Sequence, residues 1–121
     1  MDGHGSARSV LIVDDEVEIR HALRLLFEIE GFNVVGEASD GATAVDLASE
    51  LTPSLIVLDY SMPNMNGQEA AQEIRKVLPE SRIVAFSALL DAKPAWADAY
   101  LNKDRISEIA PLVERLLRPA C

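Results

Sequence analysis

The sequence is poor in cysteine, in positive charge and in long hydrophobic runs. Its single cysteine, Cys121, excludes an internal disulfide framework and suits a reducing cytosol. There are 11 Lys and Arg against 20 Asp and Glu, and this excess of negative charge argues against a nucleic-acid-binding surface. The longest apolar runs are too short to cross a bilayer, and the N-terminal residues lack the apolar stretch of a signal peptide. We therefore expect a cytoplasmic protein that contacts neither nucleic acid nor membrane.

The length and the overall composition are typical of one globular domain of ordinary size. The chain has 121 residues, of which 49% are hydrophobic and 26% are charged. A chain of this length buries roughly two-thirds of its unfolded surface, so neither a metal nor a disulfide is needed to hold the fold together. We expect a mobile polar tail over residues 1–8, one domain over residues 9–118 and a short C-terminal end over residues 119–121.

Short apolar runs that stop at a polar residue recur along the chain. The clearest is Leu55–Leu58, which leads into Asp59 and then into turn-forming residues. A continuous apolar run bounded by turn signals is typical of a strand buried on both faces of a parallel sheet. Further runs of this form are Ser9–Val13 before Asp14 and Asp15, Arg82–Phe86 before Ser87, and Ala99–Leu101 shortly before Lys103.

Helical periodicity fills most of the intervals between these strands. The predicted helices run from Val17 to Gly31, from Asp40 to Pro53, from about Gly67 to Val77, and from Ile106 to Leu117 with Pro111 near the first turn. A further short strand is predicted around Val34 and Val35. Residues 88–98 contain Pro94 and no long apolar stripe, which predicts a loop with at most about one helical turn. Trp96 in this segment fits either packing over the sheet or an exposed contact residue, and we favour packing. Strands that alternate with helices indicate an α/β fold with a parallel sheet covered on both faces.

The polar residues that follow the strands are expected to meet at one edge of this sheet, where open α/β folds bind ligands. Carboxylates of Asp14, Asp15 and Asp59 about 5 Å apart would repel by roughly 3 kcal/mol per pair at an effective dielectric near 20. Such a cluster favours a hard divalent cation, Mg²⁺ or Mn²⁺. With the ammonium of Lys103 and the hydroxyl of Ser87 beside it, the edge has the groups needed to receive a phosphoryl group.

Several stretches, in order and with their spacing, resemble the receiver domain of bacterial two-component response regulators. They are residues 10–16 (VLIVDDE), 37–41 (EASDG), 55–67 (LIVLDYSMPNMNG), 86–88 (FSA) and 99–103 (AYLNK). The resemblance is to the chemotaxis-regulator type and extends over nearly the whole chain. It implies a flavodoxin-like (βα)5 fold, doubly wound, with five parallel strands in the order 2-1-3-4-5.

The resemblance also implies a role for each residue of the edge. Asp59 would be the phosphoacceptor, taking the group from a phosphohistidine on a sensor histidine kinase or a histidine phosphotransfer protein. Asp15, Asp59 and the main-chain carbonyl of Ser61 would bind Mg²⁺, with Asp14 acting nearby. Lys103 would pair with a phosphoryl oxygen, and Ser87 and Tyr100 would change position as a switch. Such a domain catalyses only its own phosphorylation and dephosphorylation, and it controls a downstream protein or an output domain of its own chain.

The chain departs from the family pattern between Ser87 and Lys103, where it is shorter. We therefore expect the fourth helix, which follows the fourth strand in that family, to be reduced or missing. This change alters the face through which receivers usually dimerise, so the oligomeric state stays open. The shortened segment also motivates an alternative, a pseudo-receiver that binds a partner without being phosphorylated.

Other interpretations of the same residues are simpler. Taken alone, Asp15 could be the N-cap of the first helix, and Lys103 could be a solvated loop residue. Ser87 could be an ordinary hydroxyl at a strand end, and Tyr100 could be a packing residue. A phosphohydrolase of the haloacid-dehalogenase type would need a second Asp two residues after the nucleophile, where this chain has Ser61.

Overall fold

The computed structural model describes residues 8–118 and contains one parallel β-sheet with helices on both faces. The strands are β1 (Ser9–Val13), β2 (Asn33–Ala38), β3 (Leu55–Leu58), β4 (Arg82–Phe86) and β5 (Ala99–Leu101), and the helices are α1 (Val17–Ile29), α2 (Gly41–Leu51), α3 (Gly67–Val77) and α4 (Ile109–Leu117), the last preceded by a 3-10 helix over Lys103–Glu108. The strand order is β2-β1-β3-β4-β5, with every pair parallel. The flavodoxin-like fold and its strand order are confirmed.

The central strands divide their side chains between two apolar clusters. Because successive residues of a strand point to opposite faces, Val10 and Ile12 of β1 pack on the side of α1 and α4, while Leu11 and Val13 pack on the side of α2 and α3. Every residue of β1 and β3 is buried. These strands are therefore fixed from both faces, and so are the polar residues at their carboxyl ends.

The helix ends follow the sequence signals. The side chain of Asp40 accepts a hydrogen bond from the amide of Thr43 at 2.8 Å and caps α2. Asn66 and Glu69 form a reciprocal capping box at the start of α3. Pro111 lies in the first turn of α4, where a missing N–H leaves no helical bond broken.

No helix lies between β4 and β5 in the described residues, as the short sequence there predicts. Arg75 of α3 holds this segment instead, because its guanidinium donates to the main-chain oxygen of Trp96 at 3.3 Å and to Asp98 at 3.0 Å. Asp98 also accepts the amide of Ile83 at 2.8 Å. Trp96 is half-buried and stacks on Tyr60 with ring centroids 6.3 Å apart. It also packs against the apolar cluster that contains residues of β1, β3 and β4, which confirms that it packs over the sheet.

Arg8, predicted to belong to the tail, is instead part of the fold. Its guanidinium donates to Glu114 at 2.9 Å and lies 4.0 Å from the ring centroid of Phe32. The rest of the predicted tail, residues 1–7, and the C-terminal end, residues 119–121, lie outside the described residues. None of the helices between residues 8 and 118 is long and apolar enough to span a bilayer.

We expect Asp98→Asn to lower the free energy of unfolding by about 1–3 kcal/mol, since Asp98 accepts both an amide and a guanidinium hydrogen bond. Urea unfolding measures this loss. The matched control is Glu73→Gln, which removes an exposed pair with Lys76 and should change stability by less than about 0.5 kcal/mol. Equal effects of the two substitutions would show that the Arg75–Asp98 pair does not hold the segment.

Candidate functional site

The acidic residues that follow β1 and β3 meet at the carboxyl edge of the sheet. Asp14, Asp15 and Asp59 each place one carboxylate oxygen within 4.8 Å of the others. Asp14 is 1% exposed and Asp59 3% exposed, whereas Asp15 is exposed. The two strands are hydrogen-bonded neighbours, with Val13 opposite Leu58, and this register brings the three carboxylates together.

Lys103 supplies the positive charge of this acidic cluster. Its ammonium lies 2.8 Å from Asp14 Oδ2, 3.3 Å from Asp59 Oδ2 and 3.2 Å from Glu16 Oε1. The side chain reaches the cluster from the start of the 3-10 helix after β5, and only 14% of it is exposed. The simpler interpretation of Lys103 as a solvated loop residue is therefore wrong.

Burial and mutual repulsion make ionisation of the aspartates costly. Burial, and after it the negative charge of Asp14, raises the pKa of Asp59 to about 6. Burial also raises the pKa of Asp14, although the Lys103 ammonium 2.8 Å away opposes this rise. Burial lowers the pKa of Lys103, but its contacts with Asp14 and Asp59 outweigh burial and raise that pKa overall. One ammonium thus compensates the cluster only in part.

The donor atoms of this cluster fit a hard divalent cation. Asp14 Oδ2 is buried and contacts Lys103 at a direction that makes no hydrogen bond, so a lone pair remains for a ligand. Asp15 makes no side-chain hydrogen bond or ion pair within residues 8–118. It does not cap α1 either, because Glu16 is the N-cap residue of that helix. Oxygen-only ligands of this kind suit Mg²⁺ or Mn²⁺.

The cluster opens into a cavity of about 290 Å³. Ser61, Ser87 and Lys103 line it together with Asp15 and Asp59, and Glu16, Ala88 and Leu89 complete its wall. The amide of Ser61 lies 3.4 Å from Asp59 Oδ1, to which it donates. The six residues predicted for phosphoryl and cation binding, Asp14, Asp15, Asp59, Ser61, Ser87 and Lys103, therefore lie at one place.

Tyr100 lies apart from this cavity in the described structure. Its hydroxyl donates to the main-chain oxygen of Leu90 and, at 3.4 Å, to that of Ser87. Ser87 is 1% exposed, and its hydroxyl oxygen accepts the amide of Leu89 at 3.0 Å. Both side chains thus hold the loop after β4, and neither makes a hydrogen bond with Asp59.

The turn after Asp59 depends on a close approach of α3. The amide of Gly67 donates to the main-chain oxygen of Tyr60 at 2.8 Å. A Cβ atom at Gly67 would lie 2.6 Å from the main-chain oxygen of Asp59, so only glycine fits there. The sequence indicates Gly67 as the start of a helix, and it does not predict Glu16 as a site residue. The one sequence signal for Glu16 is its position directly after the two aspartates.

Comparison with known proteins agrees with this geometry. The family model of the response regulator receiver domain matches residues 10–108. This chain belongs to that family. It is 42% identical over 113 residues to the transcriptional regulatory protein PdtaR of Mycobacterium tuberculosis, a match covering 88% of this chain and 55% of PdtaR. The receiver domain thus spans about half the length of that relative.

Solved receiver structures share the fold. The response regulator domain of Thermotoga maritima CheB superposes with a TM-score of 0.83 at 28% identity and covers 93% of this chain and 98% of its own. The CheX–CheY–BeF3–Mg²⁺ complex from Borrelia burgdorferi gives a TM-score of 0.78 at 28% identity, with 91% of this chain and 90% of that chain covered. This receiver domain therefore has its family's fold together with an acidic pocket that could bind a metal.

The raised pKa of Asp59 predicts that Asp59→Asn stabilises the protein in the absence of divalent cations. The folded-state pKa of about 6 lies above the ordinary value of 3.8, so the folded protein holds the Asp59 proton more tightly than the unfolded chain. The stabilisation from protonated Asp59 is complete below pH 3.8 and is lost as the pH rises through 6. At pH 7 the ionised group costs about 3 kcal/mol, an upper bound for the gain on substitution.

Urea unfolding in EDTA at pH 7 and pH 5 measures this effect. The excess stability of Asp59→Asn should be about 1–3 kcal/mol at pH 7 and should shrink at pH 5. Asp46→Asn, which replaces an exposed carboxylate on α2, is the control and should differ from wild type by less than about 0.5 kcal/mol. A destabilised Asp59→Asn at pH 7 would mean that Lys103 compensates the cluster fully.

Proposed function

We propose that this receiver domain accepts a phosphoryl group on Asp59 from a phosphohistidine of a kinase or phosphotransfer protein. The observation that carries the proposal is a buried carboxylate that lines an open cavity with an ammonium group 3.3 Å away. A carboxylate oxygen of Asp59 forms the new bond to phosphorus, and the bond from phosphorus to the donor imidazole nitrogen breaks. The chain acts in this way on itself and on no other substrate.

Mg²⁺ or Mn²⁺ is the proposed cofactor, held by Asp15, Asp59 and the main-chain carbonyl of Ser61, with Asp14 beside them. When bound, the cation offsets the negative charge that the phosphoryl group brings to the cluster. The three carboxylate oxygens within 4.8 Å support this assignment. So does the Borrelia burgdorferi complex, in which a CheY chain of the same fold occurs with BeF3 and Mg²⁺.

The residues around Asp59 have separate parts in this proposal. Lys103, already 3.3 Å from Asp59, pairs with an oxygen of the transferred group and stabilises its charge. Ser87 releases the amide of Leu89 and donates its hydroxyl hydrogen to a phosphoryl oxygen instead. Because Tyr100 binds the main-chain oxygens of Ser87 and Leu90, a shift of Ser87 is passed to the loop after β4.

That loop and the neighbouring β5 then form the surface that changes on phosphorylation. A negatively charged group with strong acceptor oxygens biases such a loop between two arrangements. The proposed reader is a downstream protein or an output domain of the same polypeptide, in the cytoplasm.

Phosphoramidate tests the proposal, because it offers the same phosphorus–nitrogen bond as a phosphohistidine. Intact-mass spectrometry should find one added phosphoryl group on wild type with Mg²⁺ and none with EDTA. Asp59→Asn should gain none, and the control Asp46→Asn should gain as much as wild type.

The pseudo-receiver alternative is favoured by one observation, the absence of a helix between β4 and β5 within the described residues. It predicts no phosphoryl adduct on wild type with any phosphoramidate or kinase donor. It also predicts the same partner affinity for wild type and Asp59→Asn. That pair of results would contradict the proposed phosphoacceptor function.

A further inference from the structure

The side chain of Arg20 reaches from α1 to the main chain at the end of β1. Its Nη1 atom donates to the main-chain oxygen of Asp14 at 2.6 Å, and its Nε atom donates to Glu37 Oε1 at 3.1 Å. Only 18% of the side chain is exposed. One guanidinium therefore joins α1, the end of β1 and β2, directly behind the acidic cluster.

Glu37 keeps this guanidinium in place. It lies on β2 opposite Ile12 of β1, so the sheet fixes its position. Its second oxygen accepts Arg24 Nε at 2.7 Å. Burial opposes ionisation of Glu37, but the contacts with Arg24 and then Arg20 outweigh burial and lower its pKa. Glu37 is thus a fixed anion that orients Arg20.

The bond from Arg20 completes the fixation of the peptide groups around Asp14. The amide of Asp14 donates to the main-chain oxygen of Ala38 at 3.0 Å, and its carbonyl accepts from Arg20. The carbonyl of Asp14 belongs to the peptide plane that also carries the amide of Asp15. The Asp15 side chain has no hydrogen-bond or ion-pair partner within residues 8–118, so the two flanking peptides set the direction of its Cα–Cβ bond. The following peptide is held by the amide of Glu16, which donates to Asp14 Oδ1 at 2.9 Å, and the preceding one by Arg20.

We propose that Arg20 is a positioning residue that aims Asp15 into the cation site by holding the Asp14–Asp15 peptide. The inference rests on the proposed function, because it assumes that Asp15 is a ligand of the divalent cation. Partners behind the ligands of a metal site set its affinity in this way, and their loss typically weakens binding about 10- to 100-fold.

The replacement of Arg20 changes the Mg²⁺ affinity in opposite directions, depending on whether Arg20 acts by positioning Asp15 or only through its charge. A positive charge near a cation site repels the cation, so its removal by itself would strengthen binding. Weaker binding after its removal is therefore diagnostic of positioning. Arg24 is the matched control, because it pairs with Glu37 through the same kind of contact and does not contact Asp14.

Calorimetric titration with Mg²⁺ compares wild type with Arg20→Gln, Arg20→Lys and Arg24→Gln. We expect Arg20→Gln to bind at least about tenfold more weakly than wild type. Arg24→Gln should bind within about twofold of wild type or more tightly. Arg20→Lys should be as weak as Arg20→Gln, since one ammonium cannot reproduce the two-armed contact with Glu37 and the Asp14 carbonyl.

A second readout needs no metal. In EDTA, the amide resonances of Asp15 and Glu16 should shift in Arg20→Gln and stay in place in Arg24→Gln, while urea unfolding shows that both variants are folded.

The inference is overturned if Arg20→Gln binds Mg²⁺ as tightly as wild type or more tightly, or if Arg20→Lys restores the affinity. A wild-type protein that binds no Mg²⁺ would overturn the proposed function together with this inference. Mg²⁺ binding by wild type that Arg20→Gln leaves unchanged would overturn the inference alone.

Discussion

The contact of one ammonium group with two buried carboxylates is the interaction on which the rest of this site depends. Lys103 lies 2.8 Å from Asp14 and 3.3 Å from Asp59, and both aspartates are almost fully buried. Two like charges in so little water would otherwise destabilise the ends of β1 and β3. The pKa of Asp59, raised to about 6, shows that the compensation is incomplete. The site therefore retains negative charge that a bound cation can offset.

The fold holds the repelling carboxylates together because the strands that carry them are fixed by apolar packing and hydrogen bonds outside the acidic cluster. The strands β1 and β3 are buried along their whole length, and their register sets Asp14 and Asp59 side by side. The close approach of Gly67 fixes the main chain after Asp59. Between β4 and β5, where no helix lies in the described residues, Arg75 and Asp98 hold the chain against α3 and β4. The burial of apolar side chains thus holds the like-charged carboxylates close together, as the proposed cation binding requires.

Much of this arrangement follows from the sequence, because short apolar runs ending in Asp, Ser or Lys imply parallel strands whose polar ends meet. The remaining features depend on hydrogen bonds to main-chain oxygens and on contacts between residues far apart in the chain, and no sequence pattern reveals these partners. No sequence pattern indicates the contact of Arg20 with a main-chain carbonyl, and from the sequence Arg20 is only a polar residue on the outer face of an amphipathic helix. Tyr100 is similar, since its hydroxyl binds loop carbonyls whose positions follow from the length of the segment after Ser87. Arg8 seemed part of a polar tail because its partners, Phe32 and Glu114, are distant in the chain.

The most direct test of the central claim is the free energy of unfolding of wild type and Asp59→Asn as the Mg²⁺ concentration rises at pH 7. Ligand binding to the folded state alone adds RT ln(1 + [Mg²⁺]/Kd), so wild type should gain stability steadily above its Kd. Asp59→Asn lacks one of the clustered charges and should stay nearly constant. Parallel curves for the two proteins, or a wild-type curve that does not rise, would contradict the account that the buried carboxylates form a cation site.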